Sequence, residues 1–564
     1  MNDPRFEQMA RLLQQHKLNR RRMVQTAAAM AAVSVPMGSA VTTLSASAAP
    51  SRQSDPSTLV VLDNIQGGNW LYFDPGKIYE INPQAGEQLV YEALYHIPDG
   101  TKVGEVAPLL AEDFPVMSED GLTATIKLRP GVKFNTGNEM TADDVVFSYN
   151  RLKNVAGNPS FLFTDFFESV TAVDPTTVEL KLLAPNAALP SILSSTNFGV
   201  MDSKVAQEHG GSAAEDAAET DTLTDWLNEG NSIGTGPYSL TQWDISNEII
   251  IEKNPDYWGE PVSFEKIVFR NVADTSTQLQ LLETGEADLA FAVDPDKIAQ
   301  VQANQGLQLL EGASLAHEYL AMNTTAEVGG PLASKEARQA IASAIDYDGI
   351  INGLLGGHAV RPATVVTLGL LGADEVEDKK YVTDIAKANE LWAASGNGPT
   401  ELTLTYGAGQ TAPGGLSRDI LSAKLQEDLQ KIDGVTVTLN PMDPTERLQA
   451  YREGKLQFTM SDWAPDYADV HAYADPFGRG GSAAAKRVGY DDPAVTALLD
   501  AGIAEGDPAT RLEDYVAIQE ALIDAAAFVV EFQPNYIMPA SKAVQGAQPH
   551  GTYILQLRNA SKSA

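Results

Sequence analysis

Apolar and polar positions along the chain follow two periods, and together they predict an alternation of strands and helices. Thr58-Leu59-Val60-Val61-Leu62 is apolar at consecutive positions, the pattern of a strand covered on both faces. Leu122-Thr123-Ala124-Thr125-Ile126-Lys127-Leu128 alternates instead, as a half-exposed strand does, and Arg129-Pro130-Gly131 ends it in a turn. Between them, in residues 78–96, the apolar positions of Gln88-Leu89-Val90-Tyr91-Glu92-Ala93-Leu94-Tyr95 suit one face of a helix. Thr141 is placed to cap a helix that opens with Ala142-Asp143-Asp144, where the two acids complement the positive helix end. Glu283-Thr284-Gly285 reads as a helix end with a glycine stop, followed by a new strand at Leu289-Ala290.

The second half repeats this alternation. Residues 336–346 form a helix with Ala337, Ile341, Ala344 and Ile345 on one stripe, a core face. Leu402-Thr403-Leu404-Thr405-Tyr406 and Val435-Thr436-Val437-Thr438-Leu439 are strands, separated by an amphipathic helix over 417–432 with Leu421, Leu425 and Leu429 at four-residue spacing. Leu456-Gln457-Phe458-Thr459-Met460 is strand-like. Phe528-Val529-Val530-Glu531-Phe532 is a buried strand that Gln533-Pro534-Asn535-Tyr536 is expected to break. The fold class is α/β.

At 564 residues the chain is too long for one core and is expected to divide into two or three domains. Its 75 acidic residues against 39 basic ones, a formal charge of −36, exclude nucleic acid as a partner and disfavour anionic membrane surfaces. There is no cysteine, so disulfides, thiolate nucleophiles, Cys-ligated metals and a lipid-bearing Cys are all excluded. Asn19-Arg20-Arg21-Arg22-Met23-Val24, an Ala-rich run and Ala46-Ser47-Ala48 have the layout of a twin-arginine export signal over residues 1–48, with a loose leader over 49–58. Export to the periplasm or the exterior without a lipid anchor is therefore expected. Beyond that signal no run of eighteen uninterrupted apolar residues occurs, so no membrane span is expected in the mature chain.

Candidate chemistry gathers in residues 460–477, Met-Ser-Asp-Trp-Ala-Pro-Asp-Tyr-Ala-Asp-Val-His-Ala-Tyr-Ala-Asp-Pro-Phe, taken as a loop at the end of a buried strand. Carboxylates beside Trp463 and Tyr467 suit a cationic group, with charge on one side and ring faces on the other. Asp462, Asp469 and Asp475 read as turn and cap residues. Catalysis finds no support: no H-E-x-x-H and no D-x-D-x-D-G is present, no serine has a G-x-S-x-G setting with a His partner nearby, and the seven histidines are scattered. No cofactor is implied.

Several ordered blocks carry a family resemblance. Val106-Ala107-Pro108-Leu109-Leu110-Ala111-Glu112, Ser118-Glu119-Asp120-Gly121-Leu122-Thr123, Leu128-Arg129-Pro130-Gly131-Val132-Lys133-Phe134 and Thr141-Ala142-Asp143-Asp144-Val145-Val146-Phe147-Ser148 come first. Gly234-Thr235-Gly236-Pro237-Tyr238, Asn254-Pro255-Asp256-Tyr257-Trp258 and Tyr319-Leu320-Ala321-Met322-Asn323 follow. Together they resemble the family 5 extracellular solute-binding proteins, the dipeptide-, oligopeptide- and nickel-binding components of ATP-driven (ABC) importers. The resemblance implies a two-lobed periplasmic-binding-protein-like fold of class II, large, with an extra subdomain in the first lobe. Lobe I would comprise residues 59–316 and a return segment, 531–564; lobe II would comprise 317–530. Crossovers are expected near 314–320 and 528–536.

It further implies a peptide held between the lobes, a permease and ATPase as partners, and a monomer. In the family's peptide binders an aspartate of a Trp-x-x-Asp-Tyr-like loop holds the peptide's α-amine. Here that motif reads Trp463-Ala464-Pro465-Asp466-Tyr467, so Asp466 takes the role, with Trp463 and Tyr467 as apolar walls. Arg418, at a helix start, is the candidate for the ligand carboxylate, or else a solvated surface residue. Other cargo known for this fold, a nickel chelate, an opine, haem or an oligosaccharide, remains the alternative, with His471 beside the loop favouring a metal chelate.

Overall fold

The computed structural model describes residues 55–67 and 70–563. The twin-arginine signal and most of the leader lie outside the described residues. Thr58–Asp63 is the opening strand, buried on both sides as its unbroken apolar run requires, and it pairs in parallel with Lys266–Asn271 and with Leu289–Ala290. Glu248–Lys253 and Tyr238–Asp244 extend this half of the sheet antiparallel beyond Lys266–Asn271. The other half is built from His317–Met322, Phe458–Trp463, Thr400–Gly407 and Val435–Met442, in that order outward.

One strand joins the halves. Phe528–Ser541 spans 14 residues; its first part pairs with His317–Met322 and its second with Leu307–Ala313 and Leu289–Ala290. The chain crosses between the halves here and again at 314–316, the turn between Leu307–Ala313 and His317–Met322. Pro534 does not end the strand, which corrects the expected break. It sits where the strand changes partners, opposite Ala359, so the N–H it lacks is not missed from a continuous ladder. Its carbonyl accepts from Ser314 N at 3.1 Å and from Ser314 Oγ at 2.8 Å, tying the two crossings together.

An antiparallel four-stranded sheet, Val116–Met117, Thr123–Lys127, Thr177–Leu182 and Phe167–Asp174, stands apart from the large one and packs on helix Ala142–Asn154. That helix begins as read, with Thr141 N donating to Asp144 Oδ2 at 2.8 Å. The helix predicted through residues 88–95 is absent. Helix Ile81–Glu87 stops before it, and Leu89, Val90, Tyr91, Leu94 and Tyr95 are all buried. The Gly-Thr-Gly-Pro-Tyr segment passes against this stretch, with Gly236 N donating to Val90 O and Tyr238 N to Leu89 O. Backbone groups that a helix would have used internally serve this contact between distant segments instead.

Candidate functional site

The stretch 460–477 is not one loop. Phe458–Trp463 is strand, pairing Trp463 with His317 and Asp462 with Glu318; residues 464–470 are the loop proper; His471–Gly478 is a helix. The strand ends against the crossing strands, so its register aims the short loop across the gap between the halves of the sheet. There the loop docks. Tyr467 is 9% exposed and meets Phe166 edge-on, ring centres 5.6 Å apart, joining the core beneath the small sheet. Ser191 Oγ donates to Ala468 O at 2.8 Å from the same side.

Asp466 lies at the centre of this loop with its carboxyl open to a cavity of about 170 Å³. The facing wall is Tyr79, Ile81 and Gln84, flanked by Ser194, Thr196, Asn197 and Tyr553. Tyr79 Oη donates to Asp466 Oδ1 at 2.7 Å, across the gap, and no Lys, Arg or His among the described residues pairs with Asp466. Desolvation raises the Asp466 carboxyl above the usual carboxylate value; the Tyr79 hydrogen bond opposes this and the negative Asp165 adds to it. The Tyr79 phenol is raised in turn by burial and by Asp466. A carboxylate hydrogen-bonded by one phenol, in a cavity lining without Lys, Arg or His, is arranged to receive a cation.

The other expected site residues are placed differently. Tyr467 lines the cavity beside Asp466, although its ring is committed to Phe166. Trp463 is outside the lining: its ring leans edge-on against Phe477 at 5.3 Å and its Nε1 donates to Ala472 O at 3.3 Å, bracing the helix that follows the loop. Arg418 opens helix Arg418–Leu429 but is 2% exposed, so it is not a solvated surface residue. Its Nε and Nη2 grip both oxygens of Glu318 at 2.8 Å, Nη2 also reaches Asp462 Oδ1 at 2.5 Å, and Nη1 donates to Gln410 Oε1 at 3.2 Å. Burial pulls the guanidinium down and the Glu318 and Asp462 charges outweigh it, holding the proton firmly. Four of its five N–H groups are occupied, which leaves no fork for a ligand carboxylate.

Asp462 is thus an ion-pair partner rather than a turn residue. Asp469 accepts from His471 N at 2.8 Å, as a cap does, and also pairs with Arg511 at 2.7 Å; Asp475 pairs with Arg479. His471 is turned inward, with Nδ1 2.7 Å from Tyr515 Oη.

A second and larger cavity, about 480 Å³, lies where the chain crosses between the halves. Asp63, Asn82, Phe291 and Asp294 form one wall, Gly414 faces them, and Ser314 and Pro534 lie at the crossings. The two linings draw on consecutive residues, Ile81 and Asn82, and Tyr553 and Ile554. Sequence reasoning missed Tyr79 and Asp63. Nothing local marks Tyr79, but Asp63 ends a doubly buried parallel strand, and crevices off the carboxyl ends of such strands are usual ligand sites.

Comparisons with known proteins agree with this architecture. A profile of the bacterial extracellular solute-binding proteins, family 5 (middle region), matches residues 105–485. The probable D,D-dipeptide-binding periplasmic protein DdpA of Escherichia coli K12 is 27% identical over 435 residues, covering 76% of this chain and 80% of the relative. The dipeptide-binding protein DppE of Bacillus subtilis is 25% identical over 522 residues, 87% of this chain and 90% of the relative. The structure of HbpA2 from Haemophilus parasuis superposes with a TM-score of 0.79 at 23% identity, covering 90% of this chain and all of that one, and shows the same mixed α/β periplasmic-binding-protein fold. With the profile spanning well over half of its length, the chain belongs to the family 5 bacterial extracellular solute-binding proteins, transport components that bind rather than transform their solute.

Proposed function

We propose that this solute-binding component of an ABC importer captures a short peptide in the cleft between the halves of the large sheet and holds its α-amine on Asp466. The observation that carries the reading is the Asp466 carboxyl, which opens onto a cavity walled by both halves and has no basic partner among the described residues. A peptide ammonium supplies the missing charge, and loss of water on both sides makes the pair strong once formed. The names of DdpA and DppE support dipeptides as the cargo class. The halves act as two lobes, residues 59–316 with 531–564 against 317–530, that close over the peptide through the two crossings. Residues 1–48 direct export by the twin-arginine route, and the loaded protein delivers its peptide to a permease driven by an ATPase.

Three exposed apolar residues suit such a cleft. Tyr79 and Ile81 line the first cavity, and Ile420 lines a pocket that shares Pro295, Gly414 and Gly415 with the second. The test is titration calorimetry with di- to tetrapeptides and their N-acetylated forms. Acetylation and Asp466→Ala are each expected to weaken binding by about 2–5 kcal/mol, since each leaves one charge buried without its partner. Undiminished affinity in Asp466→Ala removes Asp466 from the site.

A further inference from the structure

We infer that the larger cavity at the crossings is a side-chain subsite for a cationic residue of the bound peptide, a lysine or arginine whose charged end meets Asp63. The inference rests on the peptide reading above. Asp63 closes the opening strand and is 7% exposed. Four N–H contacts hold its carboxyl in place. Trp70 Nε1 donates to Oδ2 at 2.6 Å, Asn82 Nδ2 lies 3.0 and 3.2 Å from the two oxygens, and Asn64 N donates to Oδ1 at 2.8 Å. These neutral donors orient the carboxylate without cancelling its charge, and no Lys, Arg or His among the described residues pairs with it. A buried charge left in this state is costly until a cation arrives.

The cavity itself selects for that cation. Asp294, its Oδ2 held by Thr275 Oγ1, is a second carboxylate in the lining, and the lining contains no basic side chain. Phe291, Ile298 and Ile554 provide apolar surface for the methylene stem of a long cationic side chain, while the carboxylates take its end. Burial raises the Asp63 carboxyl, and the Trp70 and Asn82 hydrogen bonds work against that rise, so that a bound cation completes what they begin. At about 480 Å³ the space falls within the usual range of small-molecule pockets, about 300–1,000 Å³. It adjoins the Asp466 cavity, so a peptide anchored there by its amine can place a neighbouring side chain here.

Calorimetry with tetra-alanine and with versions carrying one lysine, or one norleucine at the same position, tests this directly. Wild type is expected to prefer lysine over norleucine at one position by on the order of tenfold or more. Asp63→Asn should remove that preference and retain the penalty for N-acetylation, while Asp466→Ala should do the reverse. Asp294→Asn should lessen the lysine preference. Alanine peptides that bind while lysine confers no gain at any position overturn this inference alone; no binding of any peptide overturns the peptide reading with it. Asp63→Asn abolishing the acetylation penalty instead would make Asp63 the amine site and overturn the assignment. The lysine–norleucine comparison needs no variant, so it stands even if Asp63→Asn fails to fold.

Discussion

Glu531 is the side chain whose protonation the fold decides most clearly. Glu318 lies opposite Phe532 and Tyr319 opposite Val530, so Glu531 occupies a bulge in the crossing strand with no residue facing it. It is fully buried and neither oxygen has a hydrogen-bond partner, while Glu318 alongside is already matched by Arg418. Burial first, and then the Glu318 charge, push its carboxyl well above the usual value of 4.5. The folded state therefore holds a proton that the unfolded chain releases. Stability from this group is complete below the unfolded value and declines as pH rises, by about 1.4 kcal/mol per pH unit, up to the folded value. Glu531→Gln carries no such proton. Urea unfolding should show the variant gaining on wild type as pH rises above the unfolded value of 4.5; a gap that does not change with pH would refute a neutral Glu531. Arg418 teaches a related lesson, because an arginine at a helix start looked available in the sequence and proved to be the counter-charge of a buried glutamate.

At the level of elements, close packing explains where local patterns succeeded and where they failed. The helices that begin after Thr141 and Ser417, and the strands around 402–406 and 435–439, lie where periodicity put them, because each buries the face its pattern defines. Residues 88–95 have helical spacing yet are buried all round, so their pattern could not specify a period. The Gly-Thr-Gly-Pro-Tyr segment that lies on them is constrained by contact: a Cβ on Gly234 would collide with the Val90 carbonyl oxygen, and one on Gly236 with that of Leu89. Gly234→Ala is expected to cost about 1–3 kcal/mol or more, as overpacking does; a thermal melt matching wild type would show that the two segments separate readily. The Trp463–Asp466 region illustrates both outcomes. Its role as a loop off a strand end was legible, but where the strand stops was not, because pairing with His317–Met322 prolongs it to Trp463.

For the whole molecule, a charge of −36 makes the native state repel itself. Raising salt from about 0.01 M to about 0.1 M shortens the screening length from about 30 Å to about 10 Å. Calorimetry should therefore record a higher unfolding temperature, and a fall would mean that attractive ion pairs outweigh the repulsion. Composition, absence of cysteine, the strand–helix alternation and the ordered family blocks are properties of the chain read in order; they sufficed for the class and the family, and they nominated Asp466. Pairings between distant segments were beyond that reading. Tyr79 facing Asp466 from 387 positions away, the strand running on through Pro534, and the cavity that Asp63 lines exist only once the two halves of the sheet are brought together, and Arg418 meets Glu318 and Asp462 only once distant segments of one half pack. Side-chain identity can nominate a charge for binding; whether that charge is free or already neutralised depends on neighbours that the order of residues does not name.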